Sequence, residues 1–165
     1  GRGIMGKIEF KVATIEDAPV IFSLLEKLSQ DLDKENEFSG SVTALEKYGF
    51  SEPPAFEAIL ASQNNKPLGL VLFFYEFSTW RGKPGLFIQD LYVSPKARGL
   101  GLGAGLIKEA VKRGQLKDVV YVDLAVHNSN TDTFGFYENI GFIEINDKKT
   151  LLLEGKPFDM LRENK

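Results

Sequence analysis

Ile8–Val12 alternates apolar and polar side chains, the period-two pattern of a strand with one buried face. Thr14-Ile15-Glu16-Asp17 follows and reads as a capping box with Thr14 as N-cap. Ile21, Leu24, Leu25, Leu28 and Leu32 then recur at helical spacing and predict an amphipathic helix. A short second helix over Val42–Tyr48 stops at Gly49. Phe56–Ser62 and Pro67–Phe77 predict two strands joined by the turn Gln63-Asn64-Asn65-Lys66. Ser78–Gly85 reads as a loop, and Leu86–Val93 as an apolar strand interrupted by Gln89 and Asp90 and ended by Pro95. Next comes a helix over Leu102–Arg113, closed by Gly114 with Lys112 and Arg113 in its last turn. Val119–Val126 is a near-continuous apolar run, as a strand covered on both faces requires. Asn130 caps a helix to Asn139 with Gly141 just beyond, and the tail carries strand-like stretches at Phe142–Ile145 and Leu151–Leu153. The pattern predicts one mixed α/β domain over 5–165, with about seven strands and about four helices. Gly1–Ile4, ahead of Met5, reads as an added remnant outside that domain.

Composition narrows the chemistry. The apolar share is 43% and the charged share 26%, the balance of a soluble globular chain whose 13 Phe residues predict a well-filled core. The absence of cysteine excludes a disulfide scaffold, a Cys-ligated zinc site and a thiol nucleophile. His127 is the sole histidine, which leaves no His-rich metal site and no Ser-His-Asp triad with a histidine to spare. A net charge of −3 gives no reason to expect a nucleic-acid partner and mildly favours cationic substrates. No apolar run approaches the roughly 18 to 20 residues of a membrane span, and no signal pattern opens the chain. The expectation is a cytoplasmic protein without metal or membrane.

The main chemical signal is Arg98-Gly99-Leu100-Gly101-Leu102-Gly103, set between a strand and a helix and preceded by Val93-Ser94-Pro95. Small residues let the backbone turn tightly, so that its N–H groups and the helix dipole converge on one anion. A P-loop needs Gly-Lys-Ser/Thr, but Gly105 is followed by Leu106. A dinucleotide fingerprint starting at Gly99 needs glycine at 104, which is Ala104. A glycine-rich helix start packed closely on a sheet is the plain structural alternative.

What remains, Val-x-Pro followed by Arg-x-x-Gly-x-Gly, resembles the acetyl-CoA motif of the GNAT acetyltransferase superfamily. The resemblance implies that the amides of Arg98, Gly99, Leu100, Gly101, Leu102, Gly103 and Ala104 hold the pyrophosphate of coenzyme A. It also implies a bulged strand that splays from its parallel neighbour, with Leu91, Tyr92 and Val93 pairing with the pantetheine arm. Asn130, with Tyr137 seven residues later and then Gly141-Phe142, resembles the superfamily's second motif. There the asparagine bonds the cofactor arm and the tyrosine sits near the thioester sulfur as catalytic acid. Taken alone Tyr137 reads as a core aromatic packed with Phe134, a reading that the two linked motifs reverse, and His127 reads as a solvent-facing or packing side chain.

Within the superfamily, Phe74-Tyr75, Phe77-Ser78-Thr79-Trp80-Arg81-Gly82-Lys83 and Gln89-Asp90-Leu91-Tyr92-Val93 resemble the spermidine/spermine and thialysine acetyltransferases. Those relatives carry a Tyr-Glu pair where this chain has Asp31-Leu32, and a glutamate where it has Gln89. The resemblance implies a homodimer that acetylates a small amine: a diamine, polyamine or amino-acid-like amine. Asp31, Asp33 and Asp90 would lie near one mouth of the acceptor groove, Trp80 would line the groove, and Gln89 would stand at a further substrate-binding position. In the implied mechanism a strand amide from Tyr92 or Leu91 polarises the carbonyl, Tyr137 protonates the thiolate, and Asp90 or water takes the amine's proton. Acetylation of a protein N-terminus or lysine, and a catalytically silent acyl-CoA sensor, remain as alternatives.

Overall fold

A computed structural model describes residues 6–163. Gly1–Ile4 and Met5, read above as a remnant and the start of the domain, lie outside them. The chain divides into two compact units at Ala125/Val126.

The first unit is built on a sheet of five strands in the order β1-β2-β3-β4-β5. They are β1 (Ile8–Val12), β2 (Glu57–Gln63), β3 (Lys66–Ser78), β4 (Lys83–Val93) and β5 (Val122–Asp123). The first four run antiparallel and β5 joins β4 in parallel. The β2–β3 hairpin turns on Asn64 and Asn65, both left-handed at φ 52° and 64°, a conformation asparagine tolerates better than most residues. Thr14 and Asp17 form the expected capping box around a short 3-10 turn, after which α1 (Ala18–Asp31) starts with Pro19 in its first turn. α2 (Val42–Gly49) is capped by Ser41, whose hydroxyl accepts from the Ala44 amide at 3.0 Å.

Ile21 and Leu24 of α1 pack with Ala58, Leu60, Leu70, Leu72 and Tyr92 on one face of the sheet. α3 (Leu102–Gly114) covers the other face, where Leu106 and Ala110 are fully buried. Close approach here rests on glycine: a Cβ on Gly69 would meet the Leu106 side chain at 3.0 Å, and one on Gly105 the Phe10 ring at 2.9 Å. The second unit holds α4 (Thr131–Ile140) and α5 (Lys156–Glu163). No helix among the described residues is long and apolar enough to cross a membrane.

Several boundaries differ from the sequence pattern. The predicted loop at Ser78–Gly85 shrinks to a turn over Thr79–Gly82. There the Gly82 amide reaches the Ser78 carbonyl at 2.8 Å, and Pro84 and Gly85 belong to the β4 ladder. The strand predicted over Val119–Val126 is regular only at Val122–Asp123: ahead of it the Val120 amide still reaches the Pro84 carbonyl of β4 at 3.0 Å and the Tyr121 carbonyl accepts from the Leu86 amide at 3.0 Å, while beyond it β4 departs from regular register. The tail stretches Phe142–Ile145 and Leu151–Leu153 form no strand, so five strands are present among the described residues where about seven were expected. Their residue types suit a strand, but a strand exists only when another edge supplies its hydrogen bonds. α5, missed in the sequence, starts at Lys156-Pro157 behind Gly155, which is left-handed at φ 69°.

Leu70 is fully buried at the centre of β3. Leu70→Ala should cost about 2–5 kcal/mol. Urea denaturation should show a lower midpoint at unchanged slope.

Candidate functional site

Between β3 and β4 the register runs Leu72↔Asp90 and then Phe73↔Ile88, so Gln89 is one residue more than β3 can match. This β-bulge bends β4 and changes which face its next side chains take. Pairing with β5 is confined to Leu86↔Val122 and Phe87↔Asp123, on the near side of the bulge. Beyond it the outer edge of β4 has no strand partner among the described residues. The Ser94 amide donates to the Leu68 carbonyl of β3 at 2.7 Å. Backbone groups alternate sides along a strand, so those of Tyr92 also face β3, while those of Leu91 and Val93 face the open edge. The Val93 carbonyl confirms this phase by accepting from Arg98 Nε at 3.1 Å.

The loop after β4 makes a 3-10 turn over Pro95–Ala97, anchored by the buried Ala97, and then reaches Gly99 and Gly101 at φ 86° and 77°. A Cβ built on either glycine meets no atom within 4 Å. Glycine is therefore required by the backbone conformation rather than by crowding, and the space beside the turn is open. Gly101 is the N-cap of α3 and has no side chain to satisfy the helix start. The amides of Leu102, Gly103 and Ala104 thus lack partners within the helix, at its positive end. An anionic group fits this turn, and an extended chain with its own amides fits the open edge of β4. Both are demands that the pyrophosphate and pantetheine arm of a coenzyme A would meet.

In the second unit, Asn130 caps α4, its side-chain oxygen accepting from the Thr133 amide at 3.3 Å. At the other end Phe142 N–H donates to the Tyr137 carbonyl at 3.1 Å and Gly141 N–H to that of Glu138 at 3.0 Å. These are the bonds of a Schellman turn, completed by the apolar contact of Phe142 with Tyr137, ring centroids 5.4 Å apart. The ring partners of Tyr137 are thus Phe142 and Phe136, not the expected Phe134, because the turn folds the chain back over the last helical turn. Burial pushes the Tyr137 hydroxyl up to about 12, which keeps it protonated at neutral pH.

The profile of the acetyltransferase (GNAT) family matches residues 22–142, most of the chain and parts of both units. The chain belongs to the GNAT acetyltransferase family. It is accordingly an acetyl-CoA-dependent N-acetyltransferase. Among curated proteins it is similar to the thialysine N-epsilon-acetyltransferase of Bos taurus, 26% identical over 83% of this chain and 85% of the relative. It is also similar to the spermidine/spermine N(1)-acetyltransferase-like protein 1 of Homo sapiens, 22% identical over 88% of this chain and 22% of that longer protein. Its fold is similar to that of an integron cassette protein from V. cholerae, with TM-score 0.79, 23% identity, and coverage of 95% of this chain and 98% of that one.

The remaining candidate residues of the acetyltransferase are distributed along its first unit. Asp31 ends α1 and accepts from Arg98 Nη2 at 2.7 Å. Asp33 follows in an exposed left-handed position, φ 55°. Gln89 is exposed at the bulge, and Asp90 beside it is partly buried. Trp80 is 99% exposed at the β3–β4 turn. From Lys83 to Val93 β4 extends roughly 30 Å, so Trp80 and the Asp31–Arg98 pair occupy opposite ends of the strand. His127 is exposed.

One polar cluster escaped the sequence reading. Tyr121 lies across Gly85, where an added Cβ would strike its ring, and its hydroxyl sits beside Glu76. The Arg81 guanidinium stacks 4.2 Å from the Tyr121 ring centroid. Partial burial and then Glu76 push the Asp123 carboxyl up. The available signal was the presence of Glu76 and Asp123 within otherwise apolar strands. Elsewhere, Glu57 accepts from the Tyr75 hydroxyl at 2.9 Å and from Arg113 at 3.1 Å, joining the sheet to α3.

Burial alone pushes the Asp90 carboxyl from 3.8 to about 6. The folded state therefore disfavours ionised Asp90 by up to roughly 3 kcal/mol above pH 6. This penalty falls as the pH drops from about 6 to about 4 and vanishes below, where both states hold the proton. Asp90→Asn should accordingly be more stable than wild type at pH 8 and lose that advantage by pH 4. Chemical denaturation at a series of pH values checks this; a difference independent of pH would mean that ionised Asp90 is compensated.

Proposed function

We propose that the chain forms one acetyltransferase domain over 5–165 that carries acetyl groups from acetyl-CoA to a small primary amine by direct transfer in a ternary complex. The observation that carries the reading is a glycine turn with open space beside it, following directly on a strand whose outer edge is unpaired beyond a bulge. In this reading the pyrophosphate rests on the amides from Arg98 to Ala104. The pantetheine arm pairs with the outward groups of Leu91 and Val93, and Asn130 adds a bond from the start of α4. Tyr92 contributes by packing, since its own amide faces β3.

Attack by the neutral amine nitrogen on the acetyl carbonyl carbon forms the C–N bond, and the C–S bond breaks as the tetrahedral carbon collapses. An outward β4 amide, that of Leu91 or Val93, donates to the carbonyl oxygen as it gains charge. Tyr137 gives its phenolic proton to the leaving sulfur, and the proton that the attacking nitrogen sheds returns through water to the tyrosinate. Asp90, directly or through water, takes the proton from the incoming ammonium. Its raised pKa of about 6 suits a base working near neutral pH. Most of the acceleration comes from holding both substrates at reacting distance.

The acceptor class follows from similarity to thialysine and spermidine/spermine acetyltransferases together with the carboxylates of an exposed Asp33 and of Asp90 beside the exposed Gln89. A primary amine carrying a second positive charge or a nearby polar group suits such a field. Gln89 and Leu32 carry no charge where polyamine enzymes have glutamates, which favours a shorter diamine or an amino-acid-like amine over spermidine. The proposal extends to a cytoplasmic homodimer, as the motif resemblance to the spermidine/spermine and thialysine branch implies.

Gly101→Asp adds a Cβ and a negative charge at the turn. Calorimetry should show coenzyme A binding weakened severalfold or lost while circular dichroism stays unchanged; undiminished affinity would remove the basis of the reading. Tyr137→Phe keeps the ring that Phe142 packs against, so the fold should persist. Its kcat should drop by about 10²–10⁴ with little change in KM for acetyl-CoA. Wild-type turnover across the pH range would make Tyr137 a packing residue and a silent acyl-CoA sensor would gain no support from it, since the amines would still be acetylated.

A further inference from the structure

The acidic stretch that closes α1 suggests carboxylates waiting for an amine, but the first of them is engaged elsewhere. Asp31 Oδ2 accepts from Arg98 Nη2 at 2.7 Å, while Nε of the same guanidinium donates to the Val93 carbonyl at 3.1 Å. Arg98 directly precedes Gly99. The guanidinium therefore joins three segments: the last residue of α1, the last residue of β4 and the start of the glycine turn. Few other bonds restrain that turn. The Ala97 amide reaches the Ser94 carbonyl at 2.9 Å and the Arg98 amide the Pro95 carbonyl at 3.3 Å. Gly99 and Gly101 stand in open space.

The side chains of Arg98 and Asp31 are 54% and 40% exposed, so their ion pair contributes little to overall stability. What it supplies is orientation. A planar fork held by two acceptors has one setting, whereas a single ammonium in its place would pivot. Of the five guanidinium N–H groups, these two bonds use two and leave the others free. Tyr92, buried beneath, walls the pair from the core side, and its hydroxyl is pushed up by burial and then by Asp31.

We infer that Asp31 is a positioning residue of the donor site: its carboxylate holds Arg98, and through Arg98 the glycine turn, in the shape that receives an anionic phosphate, and it does not bind the amine. This rests on the reading of the turn given under Proposed function. Charge by itself argues for the opposite effect. A carboxylate near an anion site repels the anion, so removing it would tighten binding. Loss of pre-organisation weakens binding, because a loose turn must be ordered when the ligand arrives. The two effects differ in sign, which makes the role measurable.

The test is the affinity for coenzyme A, by calorimetry, of the wild type, Asp31→Asn, Arg98→Lys and the double variant, with KM for the accepted amine measured alongside. Arg98→Lys keeps the charge and loses the two-point fork. Asp31→Asn should bind coenzyme A roughly two- to fivefold more weakly, the range an exposed ion pair spans. Arg98→Lys should show a similar loss, and the double variant should be no worse than the weaker single one, as expected when two residues act as a unit. KM for the amine should stay at the wild-type value. Unchanged or tighter binding by Asp31→Asn, additive losses in the double variant, or a rise in amine KM with coenzyme A affinity intact would each overturn the assignment. A wild type that binds no coenzyme A would overturn the reading of the turn and this assignment with it, whereas a wild type that binds while the variants match it overturns this assignment alone.

Discussion

One surplus residue in β4 organises much of this molecule. Gln89 has no counterpart on β3, and the strand absorbs it as a bulge. On one side of that bulge β4 is an ordinary interior strand, paired to β3 and β5. On the other side it keeps β3 but has no partner along its outer edge. Backbone amides facing an open edge must find hydrogen bonds from water or from a ligand. The same bulge brings Asp90 onto the face that carries Leu72 and Tyr92, where burial raises its pKa to about 6. An open edge, a partly buried carboxylate and the approach to the glycine turn thus have a common origin in backbone register.

The helix ends do comparable work with local hydrogen bonds. α3 begins at a left-handed glycine that leaves first-turn amides without partners, which suits an anion. α4 is closed at both ends, by the Asn130 side chain and by the Gly141-Phe142 turn. Phe142 is bonded to the Tyr137 carbonyl and stacked edge-on against its ring. The residues that follow the tyrosine in the motif therefore fix its position. Their role is mechanical, and no contact with substrate is needed to explain it.

Charge placement follows the same division of labour. Arg98 links the helix, strand and turn beside the unpartnered first-turn amides of α3, Arg113 joins α3 to Glu57 of β2, and Arg81 covers Tyr121 near the β3–β4 turn. These arginines are committed to carbonyls, carboxylates and a ring within the first unit. The net charge of −3 says nothing about this arrangement, because each field is set by neighbours a few ångströms away.

The sequence by itself determined the elements whose signals are local. The capping box at Thr14, the Asn64-Asn65 turn, the helix from Leu102 to Gly114 and the cap at Asn130 each depend on residues within a few positions of one another. The glycine turn was legible for the same reason, since its conformation needs glycine at 99 and 101 whatever surrounds it. Tertiary structure decided whatever depends on a distant partner. The apolar run from Val119 could not announce that its pairing with β4 would end at Asp123, and the tail's strand-like stretches could not show that no edge among the described residues would pair with them. Asp31 looked like a free carboxylate because Arg98, sixty-seven residues away, is invisible to periodicity. Local chain geometry is written in neighbouring residues, whereas register, pairing and charge partnership exist only once the chain has folded.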